Sequence, residues 1–321
     1  MMEMLSPFFH LLVFPGGLFA LAFGLLLKGV DRKVVARLQR RVGPPLHQPF
    51  IDLVKLLRKD SLVPETAQRQ AFQWAPLLGF TGVALAVMLI PISGVYENGD
   101  AFGDLLVLLY LLVLPALALM IGGSASSNPF GSIGFSREMS IMLAYEGPLL
   151  LVLLSVALKV GAATGKTVTF SLTEIVRFQQ ANGPLLFDYT MLPAFLAYLL
   201  FIPANLGVAP FDIPEAESEI LEGPLLEYSG PALAMFNLMS ALKMVVILGL
   251  GVTLFFPAGV GGGALINLLW FAFKCLLLML LAVTLVRTAT GRLRIDQAFS
   301  FYFKWPEALG AASLIMVLIG I

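Results

Sequence analysis

Residues 231–256 read PALAMFNLMSALKMVVILGLGVTLFF, a long apolar run broken by one charge, Lys243. Such a run crosses a bilayer as a helix, because about 20 residues at 1.5 Å rise span ~30 Å of hydrocarbon. Directly upstream, residues 210–230 read PFDIPEAESEILEGPLLEYSG. That segment holds Asp212, Glu215, Glu217, Glu219, Glu222 and Glu227, with no Lys or Arg among them. Ionised groups beside a low-dielectric phase are costly unless something compensates them. The juxtaposition points to proton or cation handling, or to a docked partner. A solvated acidic loop is the plainer alternative, and the flanking Pro, Phe, Ile and Leu residues favour a packed segment.

The rest of the chain agrees with a membrane setting. It is 59% hydrophobic and 12% charged over 321 residues, with mean hydropathy +0.91. The expected fold is an all-α polytopic membrane protein, a single integral membrane domain over 1–321. Zero net charge argues against nucleic acid. One cysteine, Cys275, holds neither an internal disulfide nor an iron–sulfur cluster. His10 and His47 lie far apart and show no metal-ligand spacing. No cofactor is expected in this chain, so any redox centre belongs to another one.

Eight apolar segments read as transmembrane helices, several of them tilted or Pro-kinked: 8–28, 74–95, 104–124, 139–160, 190–208, 231–256, 265–286 and 305–321. The fifth is the weakest, being short and carrying Pro193 and Pro203. The N-terminal head contains Glu3 and no Lys or Arg, unlike a cleaved signal. Loop 28–73 carries ten basic residues, and Arg137, Arg287, Arg292, Arg294 and Lys304 fall in the other odd-numbered loops. The even-numbered loops carry Lys159, Lys166 and Arg177. The positive-inside rule therefore makes the odd loops cytoplasmic and the N-terminus external, in the cell membrane. The acidic loop, 209–230, falls on the cytoplasmic side although it is not basic.

Within the basic loop, residues 46–60 place Phe50, Leu53, Val54 and Leu57 on one helical stripe. Lys55, Arg58 and Lys59 lie mostly off it. This predicts an amphipathic helix along the cytoplasmic surface, either a plain anchor or a wall beneath a docked partner. DRKVVARLQRRVGPP (31–45) is equally double: topology explains part of its charge, and its density also suits a docking surface.

Four ionisable residues fall at membrane depth. Glu138 and Glu146 sit about 12 Å apart along one helix. Glu146 precedes Gly147-Pro148, a pair that weakens a helix. Lys243 and Lys274 lie in the sixth and seventh spans. A lone charge at mid-span costs at least ~2.5–3.5 kcal/mol. The four form either a polar path or buried salt bridges that fix packing, and Glu138 also has Arg137 beside it. In the acidic loop, Glu215, Glu219 and Glu222 recur at i, i+4 and i+7, one face of a short helix, while Glu217 points elsewhere. Crowded like charges and burial raise carboxyl pKa values toward neutrality, as a relay needs. Gly161-AAT-Gly165-Lys166-Thr167 is one residue short of a phosphate-binding loop, and the glycines of 259–263 form a hairpin.

DRKVVARLQRRVGPP, the AYE of span four, PFDIPEAESEILEGPLLEYSG and VRTATGRLRIDQAFSFYFKWPEAL resemble, in order and nearly end to end, the complex I membrane subunit that forms the quinone cavity. They equally resemble its counterparts in membrane-bound energy-converting nickel–iron hydrogenases and related ferredoxin-driven complexes. Glu222-Gly223-Pro224 resembles the hydrogenase-type branch; a ferredoxin-dependent sulfur-reducing relative would look much the same. The resemblance implies a non-catalytic membrane anchor and proton-coupling subunit in an ion-pumping oxidoreductase complex. Partners would be hydrophilic subunits carrying iron–sulfur clusters and a nickel–iron centre, small membrane subunits, antiporter-like subunits and lipid, with quinone as the alternative ligand. It assigns coupling to the six loop acids with Glu138 and Glu146. It assigns contact with the arm to Arg32, Lys33, Arg37, Arg40, Arg41, Arg294 and Asp296. Competing readings are a quinone reductase subunit, a purely structural anchor and a standalone transporter. The absence of internal symmetry between the halves argues against the last.

Overall fold

A computed structural model describes residues 9–97 and 104–320; Glu3 lies outside them. The helices in chain order are α1 (Gly17–Leu38), α2 (Gln48–Leu57), α3 (Arg69–Met88), α4 (Leu105–Ala125), α5 (Pro129–Ala163), α6 (Leu172–Asn182), α7 (Leu192–Asn205), α8 (Glu217–Ile220), α9 (Gly230–Phe255), α10 (Ala264–Ala289) and α11 (Ile295–Ile319). The π-helical stretch Leu280–Thr284 interrupts α10. Among the described residues, β pairing is confined to the isolated bridges Ile92–Tyr96 and Asp104–Ser171. The protein is thus an all-α polytopic membrane protein.

Among the described residues, seven helices are long and apolar enough to cross a membrane. The predicted fifth span is the exception: α7 has 14 residues, about 21 Å of rise against ~30 Å of hydrocarbon. Beyond Asn205 the chain turns, the Val208 amide donating to the Pro203 carbonyl at 3.1 Å. A helix too short to cross is tolerated where protein surrounds it. Here α5, α9 and α11 do so. The Tyr198 hydroxyl donates to the Ile247 carbonyl (2.6 Å), and the Tyr302 hydroxyl to the Leu200 carbonyl (2.7 Å).

Two other spans outrun their predicted ends. α1 continues to Leu38, so Lys28, Arg32, Lys33 and Arg37 lie on a helix rather than in a loop. α5 begins at Pro129 and runs unbroken through Gly147-Pro148 to Ala163, which puts Glu138 inside the helix instead of at its edge. Side-chain caps fix helix starts: the carboxylate of Asp104 accepts from the Leu106 amide, and Asn128 Oδ1 accepts from the Phe130 amide, both at 2.9 Å.

α9 sits at the centre. It is apolar on all sides and buried along most of its length, as expected of a helix enclosed by others. α1, α2, α3 and α10 pack around it. Gly24 lets α1 approach closely, since a Cβ there would strike the Ala241 carbonyl. Lys274 closes the far end: its Nζ donates to the Phe256 and Ala258 carbonyls, each at 2.6 Å, and lies over the Phe256 and Trp270 rings. Lys274 is therefore a terminal cap, about 20 Å along α9 from Lys243, and does not join the polar path read for it from sequence.

Replacing Lys274 by Leu is expected to leave these carbonyls unpaired at a cost of about 1–3 kcal/mol. The measurement is the thermal unfolding midpoint of the solubilised complex. Lys274→Arg, which keeps donors, should fall between wild type and Lys274→Leu, and an unchanged midpoint for Lys274→Leu would remove the cap.

Candidate functional site

The acidic segment between α7 and α9 is packed along its inner face. Phe211 is buried, its ring edge-on to Tyr302 at 5.0 Å. The Leu293 amide donates to the Pro210 carbonyl at 3.1 Å, tying the segment to the α10–α11 connection. Arg292 from that connection grips Asp212 through two bonds of 2.9 and 2.5 Å and donates to Ser218 Oγ at 2.7 Å. Arg137 of α5 donates to Glu219 at 2.5 Å and to the Ile213 carbonyl. Asn128 Nδ2 donates to Glu227 at 2.5 Å. Tyr228 stacks flat on Phe72, centroids 4.0 Å apart, and its hydroxyl donates to the Phe72 carbonyl.

These contacts correct three sequence expectations. The segment has no cation of its own, but Arg137 and Arg292 supply two from other elements. Arg137 serves Glu219, not its neighbour Glu138. The shared face of Glu215, Glu219 and Glu222 does not form, because α8 stops after four residues. Leu221 and Glu222 then take left-handed backbone (φ 51° and 68°) ahead of Gly223-Pro224. Non-glycine residues rarely hold that conformation without surrounding constraint. Glu215 turns inward, Glu219 pairs with Arg137, and Glu217 and Glu222 are exposed.

Beneath the segment lies a cavity of about 160 Å³. Its polar wall includes Lys28 of α1, Glu138 of α5, Asn205 of α7, Asp212 and Glu215 of the segment, and Ser240 and Lys243 of α9. Glu138 is 8% exposed, Lys243 6% and Asn205 4%. Lys28 Nζ donates to the Asn237 carbonyl at 3.3 Å. Glu215, partly exposed, has its carboxyl pushed up from 4.5 to about 7. Burial is the main cause. The nearby Glu138 and Glu222 carboxylates add to it, and Lys28 and Lys243 oppose it. A group poised there exchanges protons at neutral pH.

Sequence reasoning singles out Glu138, Asp212, Glu215 and Lys243, and the fold gathers all four at the cavity. It misses Lys28, counted only as a topological charge, and Asn205, whose signal is one amide at the end of a Pro-containing apolar run. It also misses Asp31, 4% exposed, which accepts from Thr284 Oγ1 (2.7 Å) and Arg287 (3.0 Å). Thr284 ends the π-helical stretch of α10, a deviation often found at functional sites. Glu146 lies farther along α5, partly exposed and outside the cavity.

The predicted docking residues lie mainly at the surface. Arg32 reaches Asp52 of α2 at 3.4 Å, with both side chains well exposed. Arg37, Arg40 and Arg41 are exposed and Lys33 is partly buried. Arg294 and Asp296 pair with each other at 3.5 Å. α2 itself shows Ile51, Val54 and Leu57 as an exposed apolar stripe. Phe50 and Leu53, predicted for that stripe, are instead partly covered.

The family described as NADH dehydrogenase matches residues 11–318. The chain is 32% identical over 323 aligned residues to the H subunit of NADH-quinone oxidoreductase from Dehalococcoides mccartyi strain CBDB1, covering 96% of this chain and 86% of that one. It is 34% identical to the protein of the same name from Thermomicrobium roseum, covering 85% of this chain and 84% of that one. A chain in the structure of the membrane-bound sulfane sulfur reductase, an archaeal respiratory membrane complex, superposes with a TM-score of 0.83. Its identity is 32%, covering 93% of this chain and 96% of that one.

A raised carboxyl pKa has a definite sign in stability. Between the ordinary 4.5 and about 7 the folded state binds more protons at Glu215 than the unfolded state does. Stability therefore falls as pH rises through that window. Glu215→Gln is expected to flatten this part of the profile, measured as the unfolding midpoint of the solubilised complex against pH. Identical slopes for wild type and Glu215→Gln would mean that Glu215 titrates normally.

Proposed function

This chain belongs to the NADH dehydrogenase family, and on that premise we propose that it couples electron transfer in a partner arm to proton movement through its own buried cluster. It is a multi-pass membrane subunit of a complex I-like oxidoreductase. Electrons pass between cofactors held by hydrophilic partners, and the chemistry left to this chain is protonic. Glu215, at the base of the acidic segment, takes up a proton. The proton then passes among the groups of the cavity, Glu138 and Lys243, toward Glu146 and the neighbouring antiporter-like membrane subunits. Glu138 and Glu215, the cavity acids not held by Arg292, share it with Lys28 and Lys243, and this carries the reading, since each can change protonation while the others offset its charge.

The proposed branch is sulfur reduction driven by ferredoxin. The sequence alone puts the hydrogenase type first, on the strength of Glu222-Gly223-Pro224. The likeness to the sulfane sulfur reductase chain, over nearly the full length of both, favours the sulfur-reducing relative instead. Quinone reduction is the second reading, favoured by the names of the Dehalococcoides and Thermomicrobium relatives. The cavity counts against it, because its wall of five ionisable groups poorly matches a lipophilic ring and tail. In this reading the chain lies in the cytoplasmic membrane, with its N-terminus outside and the acidic segment facing an iron–sulfur arm. Arg32, Lys33, Arg37, Arg40 and Arg41, with Arg294 and Asp296, border the surface on which that arm docks.

The test uses the intact complex in proteoliposomes with reduced ferredoxin. Polysulfide, protons and quinone are offered as separate acceptors. Sulfide formation with a proton gradient is the expected outcome. Hydrogen evolution would return the chain to the hydrogenase branch, and quinone reduction would support the second reading. Glu215→Gln is expected to lower protons moved per electron by at least about tenfold, the scale of a lost acid–base group. Full coupling in Glu215→Gln would refute the relay.

A further inference from the structure

The cavity holds three polar side chains that are more than nine-tenths buried: Glu138, Asn205 and Lys243. Asn205 Oδ1 has no hydrogen-bond partner among the described residues. Neither lysine of the cavity comes within the 4.0 Å ion-pair distance of Glu138 or Glu215 among the described residues. The groups are close enough to feel one another's charge and too far apart to exchange protons directly. Buried polar groups in native proteins are paired, by protein or by ordered water. The amide oxygen of Asn205 needs a donor, while an ammonium needs acceptors. Water is the small molecule that offers both, and a polar cavity of about 160 Å³ has room for several.

We propose that Asn205 Oδ1 seats a buried water that bridges Glu138, Glu215 and Lys243, which makes Asn205 the positioning residue of the proton path. The inference rests on the proton-coupling reading and adds to it a residue that does not titrate. That is its use. The protonation of each carboxyl and lysine changes during turnover, so none is a constant acceptor. An amide oxygen accepts in every state, so the water it holds stays in place while its neighbours change. The fold supplies Asn205 at the right depth because α7 stops short. Asn205 is the last residue of that short helix, and a helix that crossed fully would carry its end past the cavity.

Two measurements on the intact complex test this. In a cryo-EM map that resolves waters, density is expected within hydrogen-bond distance of Asn205 Oδ1 and of at least one of Glu138 and Lys243. A side-chain donor on Oδ1 in place of water would overturn the proposal, as would a coordinated cation there together with sodium-dependent pumping. In proteoliposomes, Asn205→Leu keeps the shape but removes the acceptor. Protons moved per electron are expected to fall about tenfold and to recover in Asn205→Asp, which restores an oxygen acceptor. Wild-type coupling in Asn205→Leu would overturn the positioning role. Should Asn205→Leu fail to assemble, the map and Asn205→Asp decide: loss of coupling in Asn205→Asp with an intact fold counts against it. Glu215→Gln separates the two levels. If it abolishes coupling while Asn205→Leu does not, only the water seat fails; if it leaves coupling intact, the relay itself fails.

Discussion

Five ionisable side chains, Lys28, Glu138, Asp212, Glu215 and Lys243, share one cavity inside a chain made for a bilayer, and the rest of the structure follows from making that affordable. A single buried charge costs several kcal/mol after relaxation. Arg292 offsets Asp212; the other two acids and the two lysines bring the sum near zero, and among the described residues none of those four is locked into a contact ion pair. The cost falls further when a carboxyl is neutral, and Glu215 stands where small changes nearby decide its charge. Tight salt bridges would have been simpler for stability. They would also have frozen the protonation states. The spacing gives up some stability for groups that can still change charge.

The segment over the cavity must stay closed for this to hold, and its closure is electrostatic at the rim and apolar beneath. Arg292–Asp212 and Arg137–Glu219 sit partly in solvent, where ion pairs contribute modestly and weaken with salt. The buried contacts of Phe211 and Tyr228 carry the packing. The left-handed Leu221 and Glu222 are held between these two sets of restraints. A segment fixed below and lightly clasped above can respond to a partner bound over it without losing its fold.

The spans are legible because hydropathy adds along the chain and needs no tertiary information. Even α7 stands out as the weak member, by its length and prolines. The acidic segment is legible as an anomaly, but its solution is not. Its cations come from positions 80 and 82 residues away in sequence, and no periodicity reports that. The expected carboxylate face fails for a local reason that the sequence does contain. Pro214 restricts the entry to any helix there, and Gly223-Pro224 ends it, so the two turns from Glu215 to Glu222 are pinched at both ends. Lys28 is hidden by the positive-inside pattern, which accounts for any cation near a span end without asking where its side chain goes.

α1 shows why that oversight matters. Lys28 and Asp31 are three residues apart, neighbours on the helix surface. Lys28 lines the cavity, Asp31 accepts from Thr284 and Arg287 of α10, and Arg32 meets Asp52 of α2. Within about one and a half turns, α1 thus touches the cavity, the π-helical end of α10 and the amphipathic surface helix. Beyond them it continues to Arg37 and the basic stretch proposed to meet the arm. A push on that exposed end has a short, helical path to Lys28. Asp31 is the least exposed acid in the path and its contacts span helices 253 and 256 residues apart in sequence. In the proposed reading, helix α1 is the contact route between the docking surface and the electrostatic cluster, since it borders both.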